Sequence, residues 1–199
     1  MMGELLELKR RLVDVAAVCY RRGLQAGDGG NLSARVPGQD LMVIKGSGTS
    51  FADCSVQKLM LSDFAGNPAE GGDTPSKESL LHGALYGRLT WLQAIVHCHS
   101  PWATSWASTM QPLPFVTYHS AMKLRGEVKV FDTDSYAVPP SFFPQILALF
   151  DSSPELAAFL LKGHGQVALG RHIKEALQMA ELVEETAQIA IIGRLLAKA

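Results

Sequence analysis

The amino-acid sequence predicts an α+β fold: a three-layer α-β-α domain with a mainly antiparallel central sheet. Candidate strands come in groups instead of alternating strictly with helices, which disfavours a doubly wound parallel sheet. The chain has 199 residues, and at roughly 150 residues per domain this points to a single domain over 1–199. Its composition, 47% hydrophobic and 19% charged, supplies a sizeable core and is too apolar for a disordered chain.

Leu5, Leu8, Leu12, Val15, Ala16 and Cys19 recur at helical spacing with charges between them, so an amphipathic helix is expected over 4–23, ending at Gly23. The turn-prone run Gly27-Asp28-Gly29-Gly30-Asn31 follows. Residues 32–36 and 41–44, joined by Pro37-Gly38-Gln39-Asp40, read as a β-hairpin. A second loop of small residues, Lys45-Gly46-Ser47-Gly48-Thr49-Ser50, precedes a short strand over 59–62, and a stretch rich in Gly, Pro, Asn and Asp then runs as loop to Asp73.

Pro75-Ser76-Lys77-Glu78 predicts a helix start with Ser76 as N-cap, Leu80, Leu81, Ala84 and Leu85 as the buried stripe, and an end near Arg88. The apolar, β-branched run over 94–99 reads as a strand, and Ser100-Pro101 then opens a helix with proline at its first position. Further strands are expected over 115–118, 128–131, 157–161 and 166–169. Two helices remain, over 142–150 and 173–197, with His172 capping or flanking the second.

Charge excludes one class of partner. Eighteen Lys+Arg against 19 Asp+Glu give a formal charge of −1 with no basic run, so the electrostatic footprint of a nucleic-acid binder is missing. No stretch approaches the ~18 consecutive apolar residues of a membrane span, and the N-terminal residues lack the basic-then-apolar order of a signal peptide. Cys19, Cys54 and Cys98 are odd in number and far apart, unlike a disulfide framework, and fit a reducing compartment. The expected location is the cytoplasm.

His97-Cys98-His99 is the most informative tripeptide. On a strand, residues i and i+2 share a face about 7 Å apart, so two imidazoles converge while Cys98 faces the other way. A divalent metal and a merely hydrogen-bonded histidine pair are both served by that arrangement. His164, in Lys162-Gly163-His164-Gly165, sits where flanking glycines allow a sharp turn and close backbone approach. Three imidazoles with an open fourth position make a catalytic zinc site, whereas a lone Gly-His-Gly is equally an exposed turn. Glu78 lies near a helix N-terminus, where a carboxylate is favoured by the macrodipole, either as a surface cap or as a working group. The loops at Gly29-Gly30-Asn31 and Ser47-Gly48-Thr49, with the helix start at Ser76, suit a phosphate held by backbone amides. Neither loop has a Walker or dinucleotide-binding pattern. Tyr118 is either a half-buried aromatic or a phenolic proton donor, His82 a packing or backing histidine, and Trp91, Trp102 and Trp106 core or subunit-contact aromatics.

Taken in order, GDGGNLSAR, IKGSGTS, PSKESLLHGALY, AIVHCHSPWAT and FLLKGHGQVALG resemble the class II aldolase/adducin family over nearly the whole chain. The resemblance implies an α-β-α fold, a homotetramer with active sites at subunit interfaces, a small phosphorylated sugar as substrate, and a divalent ion: Zn2+, or Co2+, Mn2+ or Fe2+. It places the metal on His97, His99 and His164, with Glu78 alternating between metal ligand and proton carrier. Phosphate contacts fall on Gly30, Asn31, Ser47, Gly48 and Ser76, and Lys77 stands where the family's aldolases have a second serine. Tyr118 lines up with a tyrosine that reaches the neighbouring subunit's site and protonates the aldehyde oxygen; a second, C-terminal tyrosine has no counterpart.

The implied reaction is reversible aldol cleavage of a ketose 1-phosphate, of the L-fuculose 1-phosphate type, to dihydroxyacetone phosphate and an aldehyde through a zinc-stabilised enediolate. Methylthioribulose-1-phosphate dehydratase, sugar-phosphate 4-epimerase and 3-oxo-tetronate 4-phosphate decarboxylase are alternative branches. PSKESLLH and VFDTDSY are similar to the dehydratase branch, but His119 replaces its acidic residue. A non-enzymatic, adducin-like scaffold is disfavoured because all three histidines are present.

Overall fold

A computed structural model describes residues 2–69 and 74–198, so the last four residues of the loop expected through Asp73 lie outside it. Seven strands form one sheet in the order β3-β2-β1-β4-β7-β6-β5. They are β1 Asn31–Arg35, β2 Leu41–Lys45, β3 Leu59–Asp63, β4 Ala94–Cys98, β5 Val130–Phe131, β6 Ala158–Leu161 and β7 Gly165–Gly170. Every pairing is antiparallel except β5 with β6, which makes the sheet mixed. The helices are α1 Met2–Arg21, α2 Ser79–Arg88, α3 Pro101–Ala107, α4 Tyr118–Leu124, α5 Phe143–Leu147, α6 Leu149–Ser152 and α7 Ile173–Leu196. None is long and apolar enough to cross a membrane.

Period-2 alternation sends each strand's side chains into two separate cores. Leu32, Ala34, Val43, Val96, Cys98, Leu160 and Ala168 pack with Leu12 and Ala16 of α1, Trp106 of α3 and Ala176, Ala180 and Val183 of α7. Met42, Ile44, Ile95, Phe159, Val167 and Leu169 pack instead with Leu81 and Leu85 of α2 and Ile146, Leu149 and Phe150 of α5 and α6. This is the three-layer arrangement. Glu184 of α7 pins α3 to it, its two carboxylate oxygens accepting from the Trp102 and Ala103 amides at 2.9 and 2.8 Å. These are first-turn donors that the helix itself leaves unbonded. His172 is the N-cap of α7, its Nδ1 accepting from the Glu175 amide at 3.1 Å.

Four expectations need correction. Residues 115–118 form no strand: Thr117 and Ser120 close a reciprocal capping box and Tyr118 opens α4. Pro112 and Pro114 supply no ladder donors upstream, so the cap wins. Helix α2 begins at Ser79 with Glu78 as its N-cap, and Ser76 serves the preceding turn, its Oγ accepting from the Glu78 amide at 3.4 Å. The helix expected over 142–150 is a 3-10 turn, Pro140–Phe142, followed by α5 and α6 with Ala148 between them; Pro140 and Pro144, which have no N–H to donate, each sit at the start of their own turn or helix. His99 also falls one residue beyond the end of β4.

Candidate metal centre

His97, His99 and His164 converge. His97 is on β4, opposite Val167 of β7, while Cys98 is buried in the other core, as the strand period requires. His164 occupies the turn between β6 and β7, which the β4–β7 pairing brings to the end of β4. The turn closes only with glycine. Gly163 has φ +65°, and Gly165 has φ +131° with a hypothetical Cβ only 2.2 Å from the Cys98 carbonyl oxygen.

The Nε2 atom of His97 lies 3.4 Å from Nε2 of His164 and 3.2 Å from Nε2 of His99. All three donor atoms fall within 4.8 Å of one another. Two nitrogens each 2.0–2.1 Å from one tetrahedral ion stand roughly 3.3–3.4 Å apart, so the spacing is that of a shared cation. His97 Nδ1 donates to the Gln166 carbonyl at 2.8 Å, which leaves its Nε2 a bare lone pair facing the other two rings. Burial pushes all three rings below the ordinary histidine value, helped at His97 and His99 by repulsion from the neighbouring rings, His99 to about 4, so each is neutral and able to ligate near pH 7. A divalent ion with an open fourth position fits this donor set.

Glu78 is buried at the N-terminus of α2. One carboxylate oxygen, Oε1, accepts from the Val138 amide at 3.1 Å, and the other, Oε2, is buried without a partner among the described residues. Burial outweighs that bond and raises its pKa to about 7. Asn31 lies directly across the β1–β4 ladder from His97, and its Oδ1 is likewise buried and unpartnered.

The small-residue loops also meet. Ser47 N donates to the Thr74 carbonyl at 2.9 Å and Ser76 N to the Lys45 carbonyl at 3.1 Å, which joins the 45–48 loop to the start of α2. Those amides are therefore spent on the scaffold. The exposed Ser47 hydroxyl beside them is a donor still on offer to an anion. Gly30 (φ +61°) lies so close to the His97 carbonyl that a Cβ would stand 2.8 Å from it. Gly48 and Lys77 are exposed, and Tyr118, the first residue of α4, projects into solvent at 98% exposure.

Three further groups shape the site; Lys45, Gln25, Ser33 and Tyr86 escaped the sequence reading, whereas His82 was expected as a packing or backing histidine. Lys45, only 2% exposed, donates to the carbonyls of Asp28 and Thr49 and so ties both small-residue loops together, and desolvation lowers its pKa. Gln25 accepts from the His99 amide at 2.8 Å and donates to the Ala26 carbonyl at 2.6 Å. Behind Glu78, Ser33 Oγ lies 2.7 Å from both His82 Nδ1 and the Tyr86 hydroxyl. The signal for the last group was present: Glu78, His82 and Tyr86 recur at i, i+4 and i+8, a polar stripe on an otherwise apolar helix.

The family model described as Class II Aldolase and Adducin N-terminal domain matches residues 10–191. A 3-oxo-tetronate 4-phosphate decarboxylase of Haemophilus influenzae is 35% identical over 191 residues, covering 92% of this chain and 87% of the relative. A methylthioribulose-1-phosphate dehydratase of Azotobacter vinelandii is 29% identical, covering 89% and 90%. Among solved structures, the L-fuculose-1-phosphate aldolase of Thermus thermophilus superposes with a TM-score of 0.81 at 26% identity, covering 96% of each chain.

Proposed function

Because the chain belongs to the class II aldolase and adducin family and the relatives it matches are enzymes, we propose that it is a lyase acting on a phosphorylated sugar or sugar acid, breaking the carbon–carbon bond on the far side of the carbon next to the ketone. The observation that carries this reading is the convergence of three neutral imidazole nitrogens in one chain with a buried carboxyl of raised pKa, Glu78, which stands outside the cluster of three. Zinc, or another divalent ion held by His97, His99 and His164, supplies Lewis-acid polarisation of the substrate's oxygen atoms.

The chain's own groups do the rest. Asn31, Ser47 and Ser76 hold the phosphate with Gly30, Gly48 and Lys77 around it, and Lys45 fixes the two loops that present it. The electron pair of the broken bond stays on the phosphate-bearing fragment as an enediolate, and Glu78 delivers the proton that quenches it at carbon. A carboxyl with a pKa of about 7 is well matched to that exchange near neutral pH.

The departing fragment separates two readings. The 35% identical relative favours decarboxylation of a 3-oxo sugar-acid phosphate, with loss of carbon dioxide. Aldol cleavage of a ketose 1-phosphate, such as L-fuculose 1-phosphate, is favoured by the likeness of fold to the aldolase. In that reading Tyr118 of a neighbouring copy in a homotetramer takes the hydroxyl proton lost as the aldehyde forms, and returns it to the aldehyde oxygen in the reverse direction, supported by its exposure beside Met122, 65% exposed, and Phe115, 45% exposed. The test is to incubate zinc-loaded protein with a 3-oxo-tetronate 4-phosphate, L-fuculose 1-phosphate, methylthioribulose 1-phosphate and L-ribulose 5-phosphate. Carbon dioxide from the first or dihydroxyacetone phosphate from the second supports carbon–carbon cleavage. Water loss or epimerisation alone, or no product from any of the four, overturns it.

A further inference from the structure

The stripe of Glu78, His82 and Tyr86 along α2 contains a second polar system that the lyase chemistry leaves unused. Tyr86 and Ser33 are fully buried beside His82, and burial holds the tyrosine pKa up and the histidine down, His82 to about 3. The phenol is therefore protonated and the imidazole neutral, with a single ring proton to place. Among the described residues the phenol meets only Ser33, so satisfying both hydroxyl protons requires one direction: Tyr86 O–H to Ser33 Oγ, then Ser33 O–H to His82 Nδ1. The ring proton then sits on Nε2.

That Nε2 atom is buried and has no partner among the described residues. One helical turn earlier on the same face, Glu78 Oε2 is a buried acceptor that also has none. The two residues are already in helical register, with the His82 amide donating to the Glu78 carbonyl at 3.0 Å. One orphan is a donor and the other an acceptor, and unmade hydrogen bonds of this kind are rare inside proteins because both groups have left water.

We propose that His82 is a positioning residue for Glu78, its Nε2–H holding carboxylate oxygen Oε2, directly or through one buried water. Val138 grips the other oxygen, so the carboxylate is held from two sides, and Ser33 and Tyr86 fix the ring that does the holding. This inference rests on the reading of Glu78 as the proton carrier. The rival acceptor for the histidine proton is Asn31 Oδ1, which shares a sheet face with Ser33 and is also unpartnered.

Long-range proton–nitrogen spectra of metal-free wild-type protein at pH 8.5 test the pairing without turnover. The expected result is an Nε2–H tautomer for His82 whose proton moves upfield in Glu78→Gln, where a weaker amide acceptor replaces the carboxylate. An Nδ1–H tautomer, or a signal that responds to Asn31→Ala and not to Glu78→Gln, overturns the proposal. In the zinc-loaded enzyme, His82→Phe is expected to lower kcat about 10- to 100-fold with KM and zinc affinity unchanged, and His82→Gln, which restores a donor, to recover part of the loss. A folded His82→Phe with wild-type kcat also overturns it. If wild-type protein cleaves no substrate while the spectral pairing holds, the lyase reading fails and the pairing stands.

Discussion

The two faces of the sheet at β1 and β4 are built to opposite rules within one residue of each other. Leu32 pairs with Val96 across the ladder, and both are buried in the core under α1, α3 and α7, where Cys98 also lies. One register step away Asn31 pairs with His97 on the other face, which also carries Ser33 and looks towards Glu78 and His82 of α2. At β1 and β4 the first face leaves apolar side chains in contact with apolar side chains, although Gln166 Oε1 and Thr104 Oγ1 are buried without a partner among the described residues elsewhere on that side. The second leaves Asn31 Oδ1, Glu78 Oε2, His82 Nε2 and His164 Nδ1 in that state. Each unmade bond of that kind costs about 1–3 kcal/mol. Stability is thus concentrated on one face, and groups primed for a ligand on the other, with the pleat separating them.

The sharpest test of this division is a pair of substitutions at adjacent register steps. His97→Ala removes one of three ligands, so zinc retention on gel filtration and turnover are expected to fall far beyond the roughly 100-fold that loss of an outer-shell partner costs. The fold persists, because the removed ring sat among polar groups. Leu32→Ala does the reverse: it opens a cavity in the dry core and lowers unfolding free energy by about 2–5 kcal/mol in urea titrations. Its kcat per folded, zinc-loaded molecule stays that of the wild type. If His97→Ala unfolds the chain, or Leu32→Ala silences the folded enzyme, the two faces are not independent.

Glu78 sharpens the comparison, since it works against stability. Its folded pKa of about 7 stands above the ordinary 4.5, so the folded chain binds the proton more tightly than the unfolded one. That contribution is complete below pH 4.5 and disappears as pH rises through 7, a swing on the order of 3 kcal/mol. Metal-free Glu78→Gln is therefore expected to match the wild type near pH 4.5 and to exceed its stability by that order at pH 8, while losing turnover. The histidines titrate with the opposite sign: their lowered pKa values hold stability above pH 6.5 and release it as pH falls towards the folded value of about 4 for His99. Urea midpoints of both proteins across pH 4.5–8 separate the two effects, because the histidine part is common and cancels in the difference.

How much of this was legible depends on the reach of each signal. The i, i+2 histidines and the glycine-flanked His164 announce themselves because strand period and positive φ are local rules, and the sheet delivers both. The α4 capping box was written in Thr117 and Ser120, yet the β-branched, aromatic run before it read as a strand. Lys45 was invisible for another reason: a lysine in a loop reads as solvated, and only the closure of two loops around its ammonium buries it. Ser33 lies 49 and 53 positions from His82 and Tyr86, so no local rule links it to them. The site's ligands could be found one by one, whereas its support depends on contacts that exist only once the sheet has formed.

Tyr118 is the smallest effect by stability and the most selective by function. At 98% exposure its side chain touches almost nothing in its own chain, so Tyr118→Phe is expected to leave the melting temperature of an isolated chain unchanged, within about 0.5 kcal/mol. If α4 docks on a second copy and the phenol serves that copy's site, kcat for aldol cleavage falls by about 10²-fold or more, the scale of a lost proton-transfer group. Carbon dioxide release from a 3-oxo acid, which forms no aldehyde, stays at the wild-type rate. Mixing Tyr118→Phe with His97→Ala then restores part of the aldol activity, since one variant supplies the intact phenol and the other the intact metal ligands at the same shared site. Two inactive proteins that remain inactive together, in a mixture shown by native mass spectrometry to have exchanged subunits, would place Tyr118 outside the reaction.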